Sequence, residues 1–206
     1  MEDATVYVVD DVEVNRDLII RLMNTVDMPT VSFASAQEFL DSYKPGLPGC
    51  LLLDLRMPGM SGLELQRQLV NQGIRIPIIF ITAHSDAHIA VQAMKAGAFD
   101  FIQKPINPQM VLDLVYNALS ESRRILDEQN EEHTINDLVD KLTPREREVL
   151  EMVVNGEANK SIAHSLSISE RTVEVHRSRV MEKMGTPSLA SLVKMAMRVN
   201  LGQTTT

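Results

Sequence analysis

Polar side chains with the makings of a site stand at the ends of short apolar runs. Asp10 and Asp11 follow residues 5–9, Asp54 closes 50–54, Thr82 with Ala83 closes 78–82, and Lys104 with Pro105 follows 99–103. Carboxylates gathered in one place repel one another unless something cationic sits among them. Three acids, a hydroxyl and an ammonium in a single crevice are therefore hard to explain as a device for stability. Oxygen ligands at this density suit Mg²⁺, which takes a few carboxylates and keeps several of its waters.

Those residues meet only if the apolar runs are neighbouring strands that all point the same way. The four runs are short and rich in β-branched residues, and a weaker strand lies near residues 30–33. Between them, residues 15–25, 36–43, 62–71, 88–96 and 108–119 have helical periodicity, some opening with Ser, Asp or Pro and two followed by Gly. Five strands alternating with five helices imply a doubly wound α/β fold, with a parallel sheet covered on both faces. Ligands in such sheets gather at the carboxyl ends of the strands, where all of these polar residues fall.

Beyond this segment the pattern changes. Residues 121–141 are highly charged, with apolar residues thinly spaced at Ile125, Leu126, Ile135, Leu138 and Val139, and read as a solvated helical linker; a short coiled coil stays open. Residues 142–199 carry only helical signals. Thr143 and Pro144 open the first helix, Gly156 ends it, and residues 159–166, 169–184 and 188–199 supply three more. The expected division is 1–120, 121–141 and 142–206.

Charge follows the same division. The 206 residues hold 20 Lys and Arg against 28 Asp and Glu, a net charge of -8, which taken alone argues against nucleic acid as a partner. The three segments, however, carry -6, -4 and +2. Such asymmetry predicts two domains with different partners. The modest +2 predicts that one copy binds nucleic acid weakly and with strong salt dependence, so that useful affinity requires a dimer. A composition of 44% hydrophobic and 23% charged residues suits folded domains and excludes disorder over most of the chain. Cys50 is the only cysteine, so neither an intrachain disulfide nor a cysteine metal cluster can form. The first residues lack the basic start of a signal peptide and no apolar run approaches the roughly 18 residues that span a bilayer. A cytoplasmic protein with no membrane partner is expected.

Residues 5–120 resemble the receiver domain of two-component response regulators. The resemblance rests on VVDD (8–11), LLLDLRMPGMSG (51–62), ITAH (81–84) and FIQKP (101–105), in order and at compatible spacing. It implies a flavodoxin-like five-stranded parallel sheet in which Asp54 takes a phosphoryl group from a partner sensor histidine kinase. Asp10, Asp11, Asp54 and the backbone carbonyl of Arg56 would hold Mg²⁺. A carboxylate attacking a phosphorus that bears negative oxygens needs that charge offset, and a metal with Lys104 would supply it. Thr82 would turn its hydroxyl toward the phosphoryl oxygens, Phe101 would swing inward behind it, and the Lys104–Pro105 bond would be cis. The added charge of about -2 would repack the face built from residues 88–96 and 99–103 and create a homodimer. Arg56 and His84 would flank the path of the hydrolytic water, so that autodephosphorylation is slow and tuned there. Cys50 reads as a small buried strand residue, and Met57, Met60 and Met94 as packing.

Residues 142–200 resemble the LuxR-type helix-turn-helix domain of the NarL/FixJ subfamily. The carriers are LTPREREVLEMVVNG (142–156), NKSIAHSLSIS (159–169) and ERTVEVHRSRVMEKMG (170–185). This all-α, four-helix domain would place its third helix in the major groove of double-stranded DNA. Val173, Val180 and Met184 form its inward stripe, with Arg171, Glu174, Arg177, Ser178 and Met181 outside it. Lys160, Thr172, His176, Arg177 and Arg179 would contact the phosphate backbone, and Glu174, Val175 and Ser178 would touch base edges. Glu174 departs from subfamily members with lysine there; a carboxylate can accept from cytosine N4. An exposed charged face is the open alternative for Arg171 and Lys183. Glu146 and Glu148 read as charges that favour the helix dipole.

Together these resemblances imply a phosphorylation-activated, dimeric transcription regulator of promoter half-sites, with RNA polymerase as a further candidate partner and no enzymatic activity beyond self-phosphorylation and slow autodephosphorylation. Two rivals stand beside it. One is a phosphorylation-independent DNA-binding regulator whose receiver is a docking platform. The other is an aspartyl phosphatase, against which Arg56 counts, because such enzymes carry an acid two residues after the nucleophile.

Overall fold

The computed structural model describes residues 4–82, 87–199 and 201. Ala83 and His84 lie outside the described residues. The chain divides into two compact units, Met1–Asp127 and Glu128–Thr206.

In the first unit, β1 (Thr5–Val9), β2 (Thr30–Phe33), β3 (Gly49–Asp54), β4 (Ile78–Thr82) and β5 (Asp100–Gln103) alternate with α1 (Glu13–Asn24), α2 (Ala36–Ser42), α3 (Gly62–Asn71), α4 (Ala87–Lys95) and α5 (Pro108–Val139). The sheet is parallel throughout, in the order β2-β1-β3-β4-β5. Successive side chains of a strand point to opposite faces, and here each face has its own core. Val6, Val8, Leu52, Ile79 and Ile81 pack with Ile19 and Met23 of α1 and Val111 and Val115 of α5. Val9, Leu51, Leu53 and Phe80 pack with Phe39 of α2 and Leu65 and Leu69 of α3. The central strand β3 is buried along its whole length, as a near-continuous apolar run covered on both sides requires. Asp54 pairs with Ile81 and Thr82 with Gln103, so the ends of β3, β4 and β5 finish side by side.

Some boundaries differ from the sequence expectation. β3 begins one residue earlier, at Gly49, and α1 begins at Glu13, two residues earlier than the periodicity suggests. Helix α5 runs unbroken for 32 residues, where a helix to residue 119 and a separate linker were expected. After Pro108 no Gly or Pro interrupts it, and its charged middle is rich in strong helix formers. An Arg124–Glu121 ion pair at 2.6 Å braces that surface one turn apart. The buried Ser122 hydroxyl accepts the Gly49 N–H at 3.0 Å, which ties the helix to the start of β3 beyond residue 120.

The second unit holds the last turns of α5 with α6 (Pro144–Val154), α7 (Asn159–Leu166), α8 (Glu170–Lys183) and α9 (Leu189–Arg198). Ile135, Val139, Leu150, Ile162, Val173, Val180, Met184 and Leu192 form its core. Thr143 and Glu146 close a reciprocal capping box at the start of α6. Between α7 and α8 the chain turns through Ser167 in the left-handed region at φ 54°, and Ser169 caps α8 by accepting the Thr172 N–H at 3.1 Å.

Candidate functional site

At the carboxyl edge of the sheet, Asp10, Asp11, Val12, Asn15, Asp54, Arg56, Thr82 and Lys104 line a crevice of about 380 Å³. Asp10 and Asp54 are buried, at 5% and 8% exposure, and Asp11 is open to solvent. Lys104 joins the two buried acids: its Nζ lies 2.9 Å from Asp10 Oδ2 and 2.8 Å from Asp54 Oδ1. The second oxygen of Asp54 accepts the Arg56 N–H at 2.8 Å. The position of Lys104 follows from β5, whose neighbour β4 accepts the Lys104 N–H on Thr82 O at 2.7 Å. The Lys104–Pro105 bond is cis. Thr82 is buried at 8% exposure beside these groups, and Phe101 of β5, the strand that ends just before the lysine, is 40% exposed.

Burial acts to lower the pKa of Lys104, but its hydrogen bonds and charge pairing with Asp54 and Asp10 act the other way and leave it raised. The ammonium is thus held charged between the acids. The expected convergence of three carboxylates is met only in part. Asp11 lines the crevice from its solvent side, and among the described residues no three acidic, His or Cys side chains are grouped closely enough to grip a metal. Cys50, fully buried in β3, has its thiol pushed up to about 12 by burial and takes no part in this edge.

In the second unit α8 sorts the candidate DNA contacts by side. Glu174, Val175, Ser178 and Arg179 are exposed, as is Lys160 in the first turn of α7. Thr172 is half-buried and its hydroxyl shares a 2.8 Å hydrogen bond with Ser169. His176 is half-buried, with Nδ1 enclosed and unpartnered among the described residues. Arg177 departs from the expected outer row. It lies four residues after Val173 and three before Val180, so it sits beside their stripe, where it is half-buried and donates to Asn159 Oδ1 at 2.9 Å. Met181 likewise faces the lining of a small apolar cavity with Val149, Val153 and Leu192.

Several contributors escaped the sequence reading. Asn15 donates to both oxygens of Asp10 at 3.0 Å, and the Arg16 guanidinium donates to the Asp10 carbonyl at 2.7 Å. An α1 start at Glu13 would have placed both in the first turn, over the crevice. Glu146, read as a dipole charge, is buried at 2% exposure and accepts from Lys183 Nζ at 2.6 Å as well as from the Thr143 N–H at 2.9 Å. Lys183, for which an open charged face is one alternative, also reaches Lys141 O at 3.2 Å. Arg145 spans from α6 to the carbonyl of Leu166 and so satisfies the end of α7. Met94, expected as packing, is 42% exposed.

A doubly wound parallel sheet with an acid pair and lysine at its carboxyl edge, followed by a helix-turn-helix unit, defines a receiver-linked DNA-binding protein. Comparison with known proteins makes this particular. Residues 6–116 match the response regulator receiver domain and residues 140–196 the bacterial regulatory proteins of the luxR family. The chain is 44% identical to the transcriptional regulatory protein TdiR of Thauera aromatica over 95% of its length and 86% of that protein. It is 42% identical to the transcriptional regulatory protein FixJ of Rhizobium meliloti strain 1021 over 98% of its length and 99% of that one. Among solved structures, the response regulator StyR is 41% identical with a TM-score of 0.78, covering 95% of this chain and 99% of StyR. Full-length FixJ from B. japonicum is 36% identical with a TM-score of 0.59, covering 97% and 98%. The chain belongs to the response regulators that join a receiver to a LuxR-type DNA-binding domain and regulate transcription. A receiver implies a histidine kinase partner, and a LuxR-type domain implies binding to DNA. No helix among the described residues is long and apolar enough to cross a membrane.

Proposed function

We propose that the chain is a cytoplasmic, phosphorylation-activated regulator in which Asp54 accepts a phosphoryl group from a sensor histidine kinase and the resulting dimer binds paired promoter half-sites. The observation that carries this reading is the Lys104 ammonium held within 2.9 Å of both Asp10 and Asp54. A buried carboxylate with a fixed cation at its side is prepared for an anionic reactant, because the charge that develops on transfer meets a preorganised partner. In this reading an Asp54 oxygen attacks phosphorus as the bond to the kinase histidine breaks. Lys104 then turns to a phosphoryl oxygen, and Thr82 offers its hydroxyl to another. Val12, which lines the crevice, and Val14 and Leu18 of α1 are exposed and would give the kinase an apolar surface.

Asp10, Asp11, Asp54 and the Arg56 carbonyl would hold Mg²⁺. The donor set fits, since this ion uses one or two carboxylates and keeps its remaining waters, and Asp11 stands open on the rim. When bound, the ion would supply positive charge against the phosphoryl oxygens.

Exposed Val91 and Met94 on α4 and Phe101 on β5 support a dimer face that repacks when Thr82 and Phe101 move. On DNA, Lys160, Thr172, His176 and Arg179 would meet phosphates while Glu174, Val175 and Ser178 reach base edges. Arg177, bonded to Asn159, would hold α8 against α7. Two copies would bind far better than one through effective concentration, with RNA polymerase as a further partner. The reading takes residues 1–120 as receiver, 121–141 as linker and 142–206 as DNA-binding domain.

The test is labelling by a small phosphodonor with Mg²⁺, followed by solution size. Wild type should take up phosphate and shift toward dimer, and Asp54→Asn should do neither. A dimer shift that persists in Asp54→Asn would favour the phosphorylation-independent docking platform.

A further inference from the structure

The carboxylate of Asp10 is fully engaged. Oδ1 accepts the Val12 N–H at 2.8 Å and Asn15 Nδ2 at 3.0 Å, while Oδ2 accepts Lys104 Nζ at 2.9 Å and the same Asn15 nitrogen at 3.0 Å. An ionised carboxylate offers about four lone-pair sites. A divalent cation that reaches Asp10 must therefore displace one of these contacts.

The three donors differ in what their departure costs. The Val12 N–H belongs to the backbone at the entry to α1 and can leave only if the chain shifts. Lys104 bonds Asp54 as well as Asp10, so its departure would give up two charge-assisted hydrogen bonds at once. Asn15 is neutral and half-buried in the first turn of α1. Its backbone N–H bonds Val12 O at 3.1 Å whether or not its side chain stays on Asp10. Rotation of that side chain alone opens both oxygens.

We infer that Asn15 is the latch of the crevice: its amide closes over Asp10 and competes with a divalent cation for that carboxylate. This rests on the proposal that the crevice holds Mg²⁺. Asn15 is a positioning residue here, acting on the metal site through Asp10. It sets the affinity low and makes entry of the ion depend on the first turn of α1.

The experiment is a Mg²⁺ titration of the full chain, followed by the backbone amide NMR signals of Asp11, Arg56 and Lys104, in wild type, Asn15→Ala and Asn15→Leu. Both variants should bind roughly tenfold more tightly, because the ion no longer displaces hydrogen bonds to a charged acceptor. A residue that only stabilised the local fold would weaken binding when removed, so a gain in affinity separates the two roles. Unchanged or weaker binding in both variants, with wild type still binding, would overturn the latch and leave the metal reading standing. No response to Mg²⁺ in any of the three proteins would overturn both.

Discussion

Gly62, the first residue of α3, lies directly against the backbone of Asp54: a Cβ at Gly62 would stand 2.3 Å from the Asp54 carbonyl oxygen and 3.1 Å from the Phe80 ring. Real atoms do not approach so closely, and the obstacle is backbone, which cannot swing aside. Gly62→Ala must therefore push the end of β3. The expected result is a loss of about 1–3 kcal/mol in the melting of the receiver, together with slower labelling of Asp54. Normal labelling in a variant of unchanged stability would mean that β3 yields more easily than its complete burial implies.

Lys104 gives the receiver an alkaline limit. Its pKa is raised in the folded state, so the stabilisation it provides is complete below the ordinary lysine value and is lost as pH rises through the folded one. Thermal melts of wild type should fall off above about pH 10.4, the ordinary value. Lys104→Met should lack that component, and at neutral pH it should be less stable because Asp10 and Asp54 face each other unshielded. Millimolar Mg²⁺ should restore part of this loss in the variant, and a melt indifferent to Mg²⁺ would count against metal binding.

Glu146 gives the second unit an acid limit. Hydrogen bonds from Lys183 and from the Thr143 N–H bring its carboxyl down to about 2. A depressed carboxyl stabilises above its unfolded value and ceases to do so as pH falls through its folded one. Unfolding monitored by circular dichroism should show this loss between about pH 4.3, the ordinary glutamate value, and the folded value near 2. Glu146→Gln should cost about 2 kcal/mol at neutral pH, the scale of hydrogen bonds to a charged group, and should flatten the acid dependence.

The two kinds of DNA contact should separate by their salt dependence. Lys160→Ala and Arg179→Ala should weaken binding evenly across sequences and reduce the slope of log K against log salt by about 1 each. Glu174→Ala and Ser178→Ala should instead change which operators bind best, at about 1–3 kcal/mol per affected base pair. Binding titrations against a panel of operators at two salt concentrations would distinguish these outcomes. Arg177→Ala should also melt at lower temperature, since its bond to Asn159 ties α7 to α8.

The crevice is legible because a parallel sheet delivers every strand end to one edge, so that a short, near-continuous apolar run followed by Asp, Thr or Lys already indicates where those side chains meet. What the sequence concealed is the network around them. That Asn15 and Arg16 turn back onto Asp10 depends on a helix start two residues from the one periodicity suggests. Glu146 and Lys183 are 37 residues apart and have no shared pattern; their pairing is a product of how α6 and α8 cross. Arg177 reads as outside the apolar stripe by residue type, but its spacing of four from Val173 and three from Val180 puts it beside them, where it meets Asn159. The unbroken α5 was hidden by a change of composition without a change of conformation.

The buried hydroxyl of Ser122 bears on where the chain can be cut. A fragment ended at residue 120 would strip the Gly49 amide of its acceptor and leave a polar group enclosed beside the central strand. An isolated receiver intended for kinase assays or crystallisation should extend to Asp127, where the first compact unit ends. Shorter versions would report on a frayed β3, with Asp54 at its other end.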